Sequence, residues 1–292
     1  MAVQPQRDPR AAMLERDPYT RVSHVQTTAR PVFQGFWEIP NYKQPIEHHT
    51  GRIWHFSEEE KRHLFLATAA FTLALGLMVT RGIFGLINTG FTTWFITIMV
   101  MMPVMLFAVG PAFLLHEIGH KVVAKKYGCW AEFRADPRGL KIGVAIAAVL
   151  GVVFMAPGAV MVAGLVTRRQ NGHIAIAGPM VNFGLFLIGI PLGAILIAMT
   201  GANGDITNLL IGNSLNYKLL IWYMIQYWLT ANLVLGMFNM LPFGPLDGLK
   251  VKAWSEVAFW AMLGVFAIPL LLWWFGGVWN PMDLVSSLAS KI

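Results

Sequence analysis

"GVAIAAVLGVVFMAPGAVMVAGLV", residues 143–166, is the stretch on which the fold turns. As a helix it is long enough to cross roughly 30 Å of hydrocarbon. It is also rich in glycine and valine, and Ala156-Pro157-Gly158 interrupts it with a turn signal. Its sequence favours two membrane-associated β-strands or a re-entrant segment over a spanning helix. The choice decides on which side of a membrane everything after residue 166 must lie.

The rest of the chain sets the context. Of 292 residues, 56% are hydrophobic and only 13% charged, whereas ordinary soluble domains carry about a quarter charged residues. Uncharged runs long enough to span a bilayer occupy Leu64–Thr80, a stretch ending at Leu115, Ile174–Met199, Leu219–Leu241 and Val257–Met282. The fold class is therefore an all-α integral membrane protein. We expect a polytopic bundle of about five to six transmembrane helices with a small membrane-associated β or re-entrant segment. The formal charge of +7 would suggest nucleic acid in a soluble chain. Here it reflects Lys and Arg gathered in cytoplasmic loops, so the partner is the lipid bilayer and not nucleic acid. The single cysteine, Cys129, excludes an internal disulfide framework.

Residues 1–56 are polar, mixed in charge and punctuated by proline, and read as a partly disordered cytoplasmic extension. Ser57 followed by Glu58, Glu59 and Glu60 starts the first spanning helix, an N-cap with acids in the first turn. Gly82, Gly85 and Asn88–Gly90 reverse the chain, and Pro103 and Pro111 are expected to kink the second span. Residues 57–255 form the expected core. Residues 256–292 add a last transmembrane helix and a short tail.

The second span ends in "HEIGH". On a helix His116 and His120 lie on one face, four residues apart, and can offer two imidazoles to one metal. Glu117 between them is placed to act as a general base toward a water the metal activates. The competing reading is a polar helix end with Lys121 as neighbour, but ionisable groups at membrane depth are functional by default. A third ligand is needed. His48, His49, His55, His63 and His173 read as surface residues. Asp247, in "NMLPFGPLDG" (239–248), directly follows an uncharged span broken by Pro242 and Pro245. A broken helix at membrane depth is tolerated where it lines a watery cavity or is buried in protein.

These elements together resemble the site-2 protease family of intramembrane zinc metalloproteases. The shared features are HEIGH, the Gly178…Asn182 element in "AGPMVN", and NMLPFGPLDG, in the family's order across roughly 60–255. The chain carries one extra residue between the two prolines of the last motif. The resemblance implies one zinc ion per chain held by His116, His120 and Asp247, with Glu117 as the catalytic carboxylate. It also implies Asn182 and Asn239 near the active site, holding substrate backbone or an oxyanion, and membrane-protein substrates. Parity agrees. If the amino terminus is cytoplasmic and 143–166 does not cross, HEIGH and Asp247 meet near the cytoplasmic face of the cell membrane. Two other readings stay open. One is a metal-binding transporter or non-catalytic zinc-binding homologue, which needs ligands but no general base. The other is a membrane zinc protease with a glutamate as third ligand, for which only Glu132 and Glu256 lie downstream.

Overall fold

The computed structural model describes residues 52–155, 157–202, 204, 209–211, 214–275 and 277–292. Most of the expected amino-terminal extension, with His48 and His49, lies outside the described residues.

Five helices are long and apolar enough to cross a membrane. They are α1 (Glu58–Val79), α3 (Phe91–Lys126), α5 (Arg168–Thr200), α6 (Tyr217–Asn239) and α8 (Glu256–Trp274). The short helices are α2 (Gly82–Thr89), α4 (Pro137–Leu150), α7 (Asp247–Trp254) and α9 (Pro281–Ala289). Two antiparallel ribbons complete the description: β1 (Trp130–Ala135) with β2 (Gly158–Ala163), and β3 (Leu210–Ile211) with β4 (Ser214–Leu215). The chain is a multi-pass, mainly helical membrane protein. Large apolar side chains such as Phe65, Met199 and Val257 point outward from the spanning helices, where lipid replaces water as their surroundings.

Local signals explain the element boundaries. The Ser57 side chain accepts the Glu60 N–H and starts α1 with three acids in its first turn. Thr167 and Gln170 form a reciprocal capping box at the start of α5. The expected reversal at 82–90 is the eight-residue helix α2, about two turns long, ended by Gly90 with φ 80°. Pro103 and Pro111 both remain inside one continuous α3. At 1.5 Å per residue this helix is about 54 Å long, so its HEIGH end extends beyond what the hydrocarbon requires.

Segment 143–166 is re-entrant, but it does not hold the two strands considered from sequence. Its first part belongs to α4, too short at about 21 Å to span. This helix packs along α1 and α2. A side chain on Gly151, at its end, would strike the Arg81 backbone at the far end of α1. The chain then returns extended along α4, where Gly143 leaves room for Met155. At the end of the return the Pro157 carbonyl accepts the Asp136 N–H, and Gly158 stands opposite Ala135. Only one strand, β2, lies within the segment, and its partner β1 comes from upstream. Periodicity could not reveal this, because a Gly/Val-rich run suits a buried strand and a buried helix equally.

Two packed clusters hold the bundle. Phe71, Met105, Phe113 and Phe133 join α1, α3 and β1, while Phe186, Leu229, Leu233 and Phe266 join α5, α6 and α8. Gly236 admits the Phe266 ring into a space where its own Cβ would lie 2.3 Å from the ring. Exposed Arg138 and Arg169 flank the re-entrant segment. In a Cys129→Ala background, Arg138→Cys and Arg169→Cys should label with an impermeant thiol reagent from the same side of sealed vesicles. Labelling from opposite sides would show that 143–166 crosses the membrane.

Candidate metal centre

His116 and His120 project from the last turns of α3, and Asp247 is the first residue of α7. All three are buried. The two Nε2 atoms are 3.0 Å apart, and Asp247 Oδ2 lies 3.5 Å from His116 Nε2 and 3.0 Å from His120 Nε2. Four ligands at about 2.0–2.1 Å around tetrahedral zinc are separated by roughly 3.3 Å. The triangle is thus close to the size that one metal ion requires, and these three side chains are a group able to hold one.

The hydrogen bonds behind the imidazoles fix which nitrogen carries the proton. His120 Nδ1 lies 2.7 Å from the Ile174 carbonyl oxygen, which can only accept, so Nδ1 donates and a neutral ring leaves Nε2 bare. His116 Nδ1 donates to Asn182 Oδ1 at 2.6 Å. The Asn182 amide is oriented because its nitrogen donates to the Ala112 carbonyl and to Asn232 Oδ1, both at 3.0 Å. Two imidazole lone pairs and a carboxylate therefore face one another. Such a set repels itself unless a metal ion or a proton on Nε2 is shared between its members. Burial alone would raise the Asp247 carboxyl, but an imidazole that carries such a proton outweighs it, His120 foremost, by charge and hydrogen bond, and holds it well below the usual carboxylate range.

Gly178 on α5 supplies the opening. A Cβ there would sit 2.4 Å from His120 Nε2 and 2.5 Å from His116 Nε2, in the space where the donors converge. Gly248 has a comparable task on the other side. A side chain at 248 would strike the Met240 carbonyl, so glycine lets α7 start tight against the end of α6 and carry Asp247 inward. Asp247 lies eight residues after Asn239, and the second proline, Pro245, stands in the exposed turn in front of α7, where Gly244 has φ 61°.

Glu117 is half-buried, and its Oε2 accepts the Val160 N–H of β2 at 3.1 Å. Asn182 is fully buried behind His116, with its oxygen and nitrogen both engaged. Asn239 donates instead to the Leu235 carbonyl of its own helix, away from the triad's hydrogen bonds. His63 accepts the Ala135 N–H, and the His55 carbonyl accepts Lys121. Half-buried His173 stacks edge-on against Trp254 and meets the Tyr127 hydroxyl at 2.5 Å. None of these three histidines belongs to the triad. Asn232 was not visible from sequence as a site residue. It is one of several polar residues in its span, with Gln226, Thr230 and Asn239, and nothing in the sequence sets it apart. Substituting Gly178→Ala should leave the folded protein intact and abolish tight metal binding, as measured by metal content after purification and by titration. Retained stoichiometric metal would mean that the ion does not sit between the two Nε2 atoms.

No family model matches the chain, and no solved structure matches it. Over 169 residues, 58% of its length, it is 39% identical to a curated protein of Methanocaldococcus jannaschii named "Putative zinc metalloprotease", 78% of which is covered. With that identity and coverage, and with three metal-ligating groups gathered where HEIGH meets Asp247, the chain belongs to the zinc metalloprotease family of this archaeal protein.

Proposed function

We propose that the protein is an intramembrane zinc endopeptidase of the site-2 protease kind, cutting peptide bonds of membrane-spanning substrates near the cytoplasmic face of the cell membrane. One observation carries the reading. Two imidazoles with their protons fixed on Nδ1 converge with a carboxylate at one end of a membrane bundle, and Glu117 is held beside them.

His116, His120 and Asp247 would hold a single zinc. Zinc bound there supplies Lewis-acid polarisation of a scissile carbonyl and of the attacking water. Glu117 takes the proton from that water at a carboxylate oxygen and returns it to the leaving amine as the C–N bond breaks. The Val160 N–H orients the carboxylate for both transfers. Asn182 acts through His116 and keeps its Nε2 directed at the centre. A helical substrate must unwind before attack, and the outer edge of β2, engaged by Glu117 at Val160, offers an extended peptide its remaining N–H and C=O groups to pair with. Lys121, Lys125, Arg168, Arg169, Lys250 and Lys252 lie in the segments next to HEIGH and Asp247, and the positive-inside rule supports a cytoplasmic placement of this end. A transporter would need the ligands but not a carboxylate held beside them, so Glu117 favours hydrolysis.

In reconstituted vesicles, Glu117→Gln should keep its zinc and lose roughly 10²–10⁴-fold in cleavage of single-span test peptides. Sustained cleavage by that variant would remove Glu117 as the base. Asp247→Ala should lower zinc content and activity together. Unchanged zinc content in this variant would exclude Asp247 as a ligand.

A further inference from the structure

A polar chain crosses three helices behind the metal centre. Asn232 on α6 and Asn182 on α5 are each 0% exposed, and both lie within membrane-spanning helices. Asn232 Nδ2 donates to the Trp228 carbonyl at 2.8 Å, which turns its Oδ1 toward Asn182. Asn182 Nδ2 donates one hydrogen to that Oδ1 and the other to the Ala112 carbonyl, leaving its own Oδ1 for the His116 Nδ1–H. Backbone carbonyls cannot donate, so Trp228 and Ala112 give the whole chain one direction. Reversing either amide would set oxygen against oxygen between fully buried groups.

We infer that Asn232, through Asn182, is a positioning residue of the metal centre that holds His116 in the tautomer and orientation required for metal binding. The inference rests on the metal-centre reading above and extends it to a helix that contributes no ligand. Asn232 fills a hydrogen-bonding requirement that Ala112 alone cannot meet, because the Asn182 amide has two hydrogens to place. Without Asn232 one of them is buried unpaired, and the amide gains a reason to rotate away from His116. Asn232 also secures α6 against α5 seven residues before α6 ends and the chain turns toward Asp247. The ligand-bearing helix α3 and the helix leading to the third ligand are thereby tied to the same amide.

The test uses full-length protein in detergent, zinc affinity by chelator competition, and the visible absorption of the cobalt-substituted protein. Asn232→Leu, similar in size but without a donor or acceptor, should weaken zinc binding roughly ten- to a hundredfold and alter the cobalt spectrum. Asn232→Ser keeps a hydroxyl for Trp228 but withdraws the acceptor from Asn182; it serves if the leucine variant fails to accumulate and should show the same direction of change. In an Asn182→Ala background, Asn232→Leu should cost little further affinity, since its route to His116 is gone. Wild-type affinity and spectrum in folded Asn232 variants would overturn the inference, as would losses that add fully to those of Asn182→Ala. Wild type that binds no zinc would overturn the metal-centre reading itself, a different result from wild type that binds while the variants are unaffected.

Discussion

Three electron-pair donors forced to face one another are the constraint from which the rest of this structure follows. Without a shared proton or metal ion, the electron pairs of His116, His120 and Asp247 would push the three groups apart. The fold prevents this from behind. Ile174 and Asn182 hold the imidazoles by Nδ1, and Gly248 presses the start of α7 against the end of α6. Gly178 keeps the common space open. Topology has to cooperate as well, because α3 and α7 meet only if segment 143–166 returns to its own side. Helix α4 and its extended return provide that without a crossing.

The β1–β2 ribbon solves a second problem created by the same arrangement. At membrane depth each strand edge must satisfy its outward N–H and C=O groups. Phe133 and Val160 stand opposite one another, and each directs its N–H away from the partner strand. Carboxylates receive both: Glu60 accepts from Phe133 at 3.0 Å and Glu117 accepts from Val160. Glu60 is also paired with buried Lys121, which follows Glu117 by one turn of α3. The ribbon is thus bolted to α1 on one edge and to the HEIGH helix on the other. Removing one member of a buried pair such as Glu60–Lys121 costs about 3–5 kcal/mol, since the survivor is left charged and unpaired. The stability of this corner and the orientation of Glu117 therefore depend on the same few side chains.

Much of this was legible in the sequence because bilayer physics narrows the choices. The five spans follow from runs of uncharged residues, and the Ser57 cap with its three glutamates marked the start of α1 to the residue. The triad was legible in a different way. His116 and His120 announce themselves by spacing, whereas Asp247 stood out as an acid just after an apolar span, was joined to HEIGH by the resemblance to site-2 proteases, and agreed with parity. What stayed hidden depended on tertiary partners. A Gly/Val-rich run does not say that its first half is helix α4 or that β2 pairs with Trp130–Ala135. Nor does an asparagine in an apolar span declare whether it faces a distant histidine, as Asn182 does, or its own backbone, as Asn239 does. Asn232 is the sharpest case. Its partners lie four residues away on its own helix and fifty residues away on another, and only the second gives it a place near the metal centre.

The identity of the groups behind the imidazoles also follows from where the centre lies. Histidine ligands are often oriented by carboxylates, which raise ligand basicity. Here the orienting groups are a carbonyl and an amide, both neutral. A divalent cation among these side chains is already balanced by the carboxylates of Asp247 and Glu117. A third carboxylate behind His116 would add an unbalanced charge to a buried site, where solvation cannot offset it. Asparagine supplies the acceptor without the charge, but an amide has two ends and specifies a direction only if its nitrogen is also bound. That requirement explains why the orienting group is a chain of amides ending on carbonyls. Each added asparagine fixes the one before it, and the backbone of α3 and α6 fixes the last.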